Sequence, residues 1–255
     1  MGPFQRRLQA LFFEPTSRKS WKSVGNHRVQ LRRVHTSPHI YEIDNFLSDT
    51  ELDYFDQVIQ NVPFQKSFVD NMEFDEVKTP GDGPANAKKR KRRTLLDSSH
   101  RTSTFFGFKH RADTTIRSIE QRTADLIGCW VHQIEGLQLV RYLPGQFFGI
   151  HHDLGDLLDD DRVLLPRKQL TMKRRLVTIF VYLNDLGKDQ GGCTYFPKCD
   201  DLRVRPSRGK AILWSNVSAD GYPEPKTIHA GETVQSSPGA KNSVKYGLNV
   251  WITEE

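Results

Sequence analysis

The order of sequence patterns along the chain is the feature that most constrains its fold. Apolar residues at helical spacing come first and predict helices at 51–61 and 113–127, the first preceded by a Ser48-x-x-Glu51 capping box. From residue 137 onward, short apolar segments separated by turn signals predict strands at 137–143, 147–153, 176–183, 210–214, 227–230 and 246–252. Helices followed by many strands favour an α+β fold whose β part is a sandwich or barrel.

Charge is distributed unevenly over the 255 residues, which carry 37 Lys and Arg against 31 Asp and Glu. Residues 1–36 hold eight basic side chains and one acid, and a second basic block runs from Lys88 to Arg93. The net charge of +6 therefore belongs to two peripheral segments, and the remainder is acidic. We expect residues 1–36 to form a flexible N-terminal segment, and residues 37–255 to form one domain with a mobile basic loop near 70–100.

Composition excludes several classes of protein. A hydrophobic content of 36% is too high for a disordered chain, and no apolar run approaches the roughly 18 residues that a membrane span needs. Three cysteines are too few for a disulfide framework, and no secretory signal peptide is visible, although residues 1–36 would also suit an organellar transit peptide. We therefore expect a cytoplasmic or nuclear protein. No P-loop, GxGxxG or GxSxG motif points to nucleotide or serine-hydrolase chemistry.

The segment His151-His152-Asp153 is the first candidate for chemistry. Alternate side chains of a strand share a face, so His151 and Asp153 point the same way and His152 points to the opposite face. One distant histidine would complete a 2-His-1-carboxylate set, which leaves coordination positions of Fe(II) open. The pair alone is weak evidence, because two hydrogen-bonded surface residues on a strand would look identical.

Five blocks in a fixed order make the evidence more specific. They are Tyr142-x-x-Gly145-Gln146 leading into His151-x-Asp153, Tyr182-Leu183 before Gly191-Gly192-Cys193-Thr194-Tyr195-Phe196, Gly209-x-Ala211-x-x-Trp214, His229-Ala230-Gly231, and Lys245 to Ile252. In this order they resemble the prolyl 4-hydroxylase group of Fe(II)/2-oxoglutarate dioxygenases, and the resemblance extends over about residues 37–252.

The resemblance implies a double-stranded β-helix (jelly-roll) core with N-terminal supporting helices. It implies Fe(II) held by His151, Asp153 and His229, with O2 as a cosubstrate and ascorbate as the reductant. 2-Oxoglutarate would be bound by Tyr142, Lys245 and Thr194, and the substrate would be faced by Arg175 and Trp251. The implied reaction is hydroxylation of a prolyl residue in a protein or peptide.

Some alternatives stay open. Lys241 competes with Lys245 as the 2-oxoglutarate lysine, although the alignment of Asn249 and Trp251 favours Lys245. Cys193 and Thr253 stand where family members often carry an acid and a histidine, which leaves the substrate uncertain. A nucleic-acid oxidative demethylase would use the same triad, and a catalytically inactive binding scaffold would share the fold. The oligomeric state is not determined by the sequence.

Overall fold

The structure, a computed structural model, describes residues 3–14, 18–25, 27–67, 100–158, 161–165, 173–236 and 243–254. The helices of this part of the chain are α1 (Pro3–Phe12), α2 (Asp49–Asn61) and α3 (Thr114–Ile127). Its strands are β1 (Lys19–Val24), β2 (His27–Thr36), β3 (His39–Asp44), β4 (Gln65–Lys66), β5 (Thr104–Gly107), β6 (Gln138–Tyr142), β7 (Phe148–His151), β8 (Asp156–Leu157), β9 (Val163–Leu164), β10 (Arg175–Tyr182), β11 (Thr194–Phe196), β12 (Leu202–Val204), β13 (Ala211–Ser215), β14 (His229–Gly231) and β15 (Lys245–Thr253). Short 3-10 turns lie at Val131–Gln133, Lys188–Gln190 and Pro225–Thr227.

Both predicted helices are confirmed, and local signals explain where they begin. The Ser48 hydroxyl accepts from the Glu51 amide, and the Glu51 carboxylate accepts from the Ser48 amide at 2.9 Å, which completes the capping box of α2. Asp113 caps α3 by accepting from the Ile116 amide at 2.9 Å. The two helices are joined by Arg122, which donates to both carboxylate oxygens of Glu51 at 2.8 Å.

Two antiparallel sheets form the body of the protein. The larger one has nine strands in the order β1-β2-β3-β13-β10-β15-β6-β5-β4, and the smaller one has four in the order β12-β11-β14-β7. β8 and β9 form a separate hairpin, in which Leu157 is buried. The predicted α+β class is therefore confirmed.

The large sheet is buried on both faces. Along β10, Val177, Ile179 and Val181 pack in the core that contains the helices, whereas Phe180 and Tyr182 pack in a second core shared with strands of the small sheet. The period of two in a strand produces this division. The second core lies between the sheets, and its side chains form the wall of the pocket described below.

The N-terminal segment differs from the expected solvated tail. β1 pairs with β2 and β2 with β3, so residues 19–36 extend the large sheet. Val29 and Leu31 are buried, whereas Arg28, Gln30 and Arg32 alternate with them and are more exposed. The helix α1 buries Leu8 and Phe12. The strands of this segment were therefore not predicted, because its many charged residues made it look like a solvated segment.

Most of the predicted basic loop near 70–100, including Lys88 to Arg93, lies outside the described residues. Within the described part of the chain, no helix is long and apolar enough to cross a membrane.

Candidate active site

Three potential metal ligands meet between two strands of the small sheet. His151 ends β7, Asp153 follows two residues later, and His229 begins β14. β7 and β14 pair with His151 opposite His229, so the sheet register brings the distant histidine to the predicted pair. One ligand atom from each of the three residues lies within 4.8 Å of the others. The Asp153 carboxylate is 3.7 Å from the Nε2 atoms of both histidines.

Hydrogen bonds orient both imidazole rings. Nδ1 of His151 donates to the Gly149 carbonyl at 2.8 Å, and Nδ1 of His229 donates to the Thr227 carbonyl at 2.9 Å. Because a carbonyl can only accept, each Nδ1 carries a proton, and Nε2 is left as the ring nitrogen that can bind a metal. Such a hydrogen bond on the second ring nitrogen is usual for histidines that bind metals.

Burial and neighbouring charges shift the pKa values of His151 and Asp153. Burial lowers the pKa of His151 well below the ordinary value, and the adjacent His229 adds to this effect. Burial opposes ionisation of Asp153, but His229 and His151 outweigh it and hold the pKa of the carboxyl below its usual range. Two imidazoles and one carboxylate are the donor set that suits Fe(II), so the residues present fit this metal.

His152 has a separate position, as strand alternation predicts. Its Nε2 lies 3.0 Å from the Glu224 carbonyl, and its Nδ1 accepts from the Leu154 amide at 3.1 Å. Both ring nitrogens are thereby occupied, and burial lowers the pKa of this imidazole to about 4. His152 is therefore a buried structural histidine on the opposite side of the strand.

Lys245 is a buried cation without an ion pair. Its side chain is 2% exposed, and no carboxylate of the described residues lies within ion-pair distance of its Nζ. Glu232 acts on it electrostatically, but that carboxylate binds Arg203 at 2.7 Å. Nζ is surrounded by the rings of Tyr142, Phe180 and Tyr182 at 5.1–5.8 Å from their centres. Burial lowers its pKa to about 8, so the amine remains mostly charged at neutral pH.

The triad and Lys245 line one pocket. The other lining residues are Tyr142, Phe148, Phe180, Thr194, Trp214, Ala230, Gly231, Asn249 and Trp251. A metal-binding set and an uncompensated cation thus face the same space, which suits a ligand with a chelating end and an anionic end. Lys241 lies outside the described residues, so the structure places only Lys245 in this pocket.

Thr194 reaches the pocket from the turn that follows the predicted Gly-Gly pair. Gly191 and Gly192 adopt φ values of +61° and +69°, and a Cβ on Gly192 would lie 2.6 Å from a methyl group of Leu186. Only glycine fits this close turn. The Thr194 hydroxyl accepts a hydrogen bond from Tyr182 at 2.7 Å, which leaves its own proton available inside the pocket.

The two predicted substrate residues contact each other. The Arg175 guanidinium lies 3.6 Å from the centre of the Trp251 ring and binds both oxygens of Glu135 at 2.8 Å. Trp251 lines the pocket, and its Nε1 has no hydrogen-bond partner. Arg175 is not itself a lining residue, so the structure places it behind Trp251.

Arg101 was not anticipated from the sequence. Its guanidinium lies 4.5 Å from the centre of the Phe148 ring and donates to Gln138 at 3.2 Å. It acts electrostatically on Tyr142 and Asp153, and its pKa is lowered by burial. The backbone of Arg101 pairs with that of Phe148 in an isolated β-bridge outside the named strands. Neither a strand pattern nor a motif marks this residue in the sequence.

Comparisons with known proteins agree with this geometry. Residues 137–253 match the model of the 2OG-Fe(II) oxygenase superfamily. Prolyl 4-hydroxylase 1 of Arabidopsis thaliana is 30% identical over 246 residues, which cover 91% of this chain and 74% of that protein. Probable prolyl 4-hydroxylase 10 of the same plant is 29% identical over 153 residues, so this chain spans about half the length of that relative.

A solved structure shows the same fold. The viral collagen prolyl hydroxylase of Paramecium Bursaria Chlorella virus-1, in its 2OG complex, superposes with a TM-score of 0.57 over 87% of this chain and 99% of that one, at 24% identity. The expected jelly-roll core is therefore confirmed.

Proposed function

The chain belongs to the 2OG-Fe(II) oxygenase superfamily, within its prolyl 4-hydroxylase group, and from this premise we propose that it hydroxylates a prolyl residue in a protein or peptide, with 2-oxoglutarate and O2 as cosubstrates. The observation that carries the proposal is the shared pocket. An Fe(II)-type donor set and an unpaired, fully buried lysine face one cavity, and a 2-oxoglutarate molecule requires both.

In this proposal His151, Asp153 and His229 hold Fe(II). When bound, the metal supplies the redox chemistry that converts 2-oxoglutarate and O2 to succinate and CO2 while one oxygen atom enters a C–H bond of the substrate. The protein fixes the ligand atoms before the metal arrives, because both imidazoles are held by backbone carbonyls. Ascorbate serves as the reductant that keeps the iron in the ferrous state.

Lys245 binds the distal carboxylate of 2-oxoglutarate. The ammonium lies among aromatic rings and faces the pocket, so an incoming carboxylate supplies the opposite charge that this buried group needs. The hydroxyls of Tyr142 and Thr194 line the same pocket and provide hydrogen-bond donors for that carboxylate. Phe148, Phe180 and Trp214 complete a largely apolar wall that limits the access of water.

The peptide substrate enters beside Trp251. Trp251 lines the pocket, and Arg175, held by Glu135, keeps its ring in place. Phe148 lines another part of the pocket, and the Arg101 guanidinium lies 4.5 Å from the centre of its ring. The similarity to prolyl 4-hydroxylase 1 supports a peptide segment containing proline as the substrate.

The alternatives are not favoured. The relatives are prolyl 4-hydroxylases. The strand β15 begins with the buried Lys245, where a nucleic-acid demethylase would have an arginine cluster. A catalytically inactive scaffold does not require three potential metal ligands whose atoms lie within 4.8 Å of one another. We also propose a cytoplasmic or nuclear setting, in line with Cys129, Cys193 and Cys199, which are all free thiols.

The test is a turnover assay of the full chain with Fe(II), 2-oxoglutarate, ascorbate and a pool of proline-rich peptides. We expect succinate to be released in step with a peptide product that gains the mass of one oxygen atom on proline. The Asp153→Ala variant serves as the control and is expected to form no succinate. Iron-dependent succinate release without a modified prolyl residue would redirect the proposal to another substrate, and equal turnover by Asp153→Ala would exclude the triad.

A further inference from the structure

A chain of buried hydrogen bonds leads from the second core to the metal-binding carboxylate. The indole N–H of Trp214 donates to Asn216 Oδ1 at 2.9 Å, Asn216 Nδ2 donates to the Thr178 hydroxyl at 2.9 Å, and that hydroxyl donates to Asp153 Oδ2 at 2.7 Å. Trp214, Asn216 and Thr178 are each at most 1% exposed. Thr178 and Trp214 are cross-strand partners of β10 and β13, so the sheet register assembles the relay.

The direction of every bond in this relay is determined by its first member. An indole nitrogen can only donate, so it fixes the Asn216 amide with Oδ1 towards Trp214 and Nδ2 towards Thr178. An amide nitrogen can also only donate, so the oxygen of Thr178 must accept from it. The single hydroxyl proton of Thr178 is then left for Asp153 Oδ2.

We propose that Thr178 and Asn216 are positioning residues for Asp153, and this inference rests on the proposed function of the triad. The Thr178 hydroxyl restrains rotation of the carboxylate, whose Oδ1 lies 3.7 Å from His151 Nε2 and whose Oδ2 lies 3.7 Å from His229 Nε2. The hydrogen bond therefore keeps the orientation in which the carboxylate faces both histidines. Asn216 acts one step further out by ensuring that Thr178 donates to Asp153 rather than to another acceptor.

Asn216 also holds the backbone at the start of β10 by two hydrogen bonds. Its Nδ2 donates to the Arg175 carbonyl at 3.0 Å, and its backbone amide donates to the Leu176 carbonyl at 2.8 Å. This is the point at which the pairing of β10 with β15 is irregular, between Arg175 and Val177. One buried amide therefore fixes both the carboxylate and the backbone of the arginine that stacks on Trp251.

The two residues are consequently expected to differ in their effects. Loss of the Thr178 hydroxyl affects metal binding and kcat, and leaves the peptide KM unchanged because the Arg175 carbonyl keeps its donor. Replacement of Asn216 affects metal binding and also raises the peptide KM. A purely structural role in the core would alter thermal unfolding without producing this difference.

The experiment measures binding of Co(II) to the metal-free protein by calorimetry and by visible absorption. We expect Thr178→Val to weaken Co(II) binding by about 10- to 100-fold and to change the absorption spectrum, because an unrestrained carboxylate alters the ligand field. Thr178→Ser restores the hydroxyl and is expected to restore both measurements. Thr123→Val removes another buried hydroxyl, which donates to the Ile119 carbonyl within α3, and serves as the matched control.

Asn216→Asp tests the direction of the relay without altering Thr178. A carboxylate at position 216 accepts the Thr178 proton, so Co(II) binding should weaken although the hydroxyl is still present. Wild-type Co(II) affinity in both Thr178→Val and Asn216→Asp would overturn the inference, provided that Asp153→Ala binds weakly. If the wild-type protein binds Co(II) no better than Asp153→Ala, the proposed metal centre itself fails.

Discussion

Lys245 and Tyr142 lie opposite each other in β15 and β6, with Lys245 Nζ 5.3 Å from the centre of the Tyr142 ring. The cation is thus fixed by two strands of the large sheet, whereas His151 and His229 are fixed by two strands of the small sheet. The pocket is the space between these pairs. A ligand that contacts both must span the two sheets, as a chelating dicarboxylate can.

Replacing Lys245 by Met should weaken the binding of 2-oxoglutarate. Met keeps the length and apolar character of the side chain but removes the charge, and a hydrogen bond to a charged group contributes about 1.5–3 kcal/mol. We expect the KM for 2-oxoglutarate to rise by about 10- to 100-fold, measured as succinate release. Lys241→Met is the control, and a larger effect of that variant would transfer the role from Lys245 to Lys241.

The stability of the protein should depend on the protonation of Lys245. Its pKa is about 8 in the folded state against 10.5 in the unfolded chain, so the desolvation cost is fully present below pH 8. As the pH rises from 8 towards 10.5, the folded protein loses the proton first and the cost is relieved. Lys245→Met should therefore be more stable than the wild type at pH 7, by up to ~3 kcal/mol.

Urea unfolding of both proteins from pH 7 to pH 10 tests this prediction. The difference in unfolding free energy should shrink as the pH rises, because other titrating groups contribute equally to the two proteins. A constant difference across this range would show that the amine is not a buried cation.

Of the adjacent histidines 151 and 152, only the first should be needed for metal. His151→Gln removes an Nε2 that faces Asp153, so we expect Co(II) binding and succinate formation to be lost. His152→Gln removes a ring that bonds to the Glu224 carbonyl and the Leu154 amide, so it should retain the metal and cost about 1–3 kcal/mol of stability. Calorimetry and thermal unfolding distinguish the two outcomes, and metal loss in both variants would argue against the assigned orientation of β7.

Glu135 should affect the peptide rather than the cosubstrate. Its carboxylate holds the Arg175 guanidinium against Trp251, so Glu135→Gln loosens the aromatic ring that lines the pocket. Because this ion pair is partly exposed, its loss corresponds to about 0.2–1 kcal/mol, or a rise of about 1.4- to 5-fold in the peptide KM. The KM for 2-oxoglutarate should not change.

The neighbouring pair of Arg174 and Glu254, bonded at 2.7 Å, provides a matched control. Glu254→Gln alters a similarly exposed arginine contact that does not reach Trp251, so both KM values should stay at their wild-type levels. A rise in the peptide KM of this variant equal to that of Glu135→Gln would assign the effect to general surface charge.

Local signals account for the parts of the fold that could be predicted from the sequence. The capping box at Ser48 and Glu51 satisfies the first amides of α2 whatever surrounds it, so the start of the helix is visible in a short segment. The period of two likewise predicts that His151 and Asp153 share a face. By contrast, the strands within residues 19–36 were not predicted, because charged and polar residues outnumber the few buried ones such as Val29 and Leu31.

The sequence by itself determined the class of the fold and most of the donor types of the site, because helix caps, strand alternation and the ordered motifs are local properties of the chain. The ordered motifs implied the triad by resemblance, but only the tertiary structure shows how its members and their supporting residues meet. The pairing of β7 with β14 places His229 beside His151, and the pairing of β10 with β13 directs Thr178 towards Asp153. Arg101 reaches Phe148 in the same way. These contacts depend on strand register between distant segments, which is set by packing of the two cores and leaves no pattern in a single stretch of sequence.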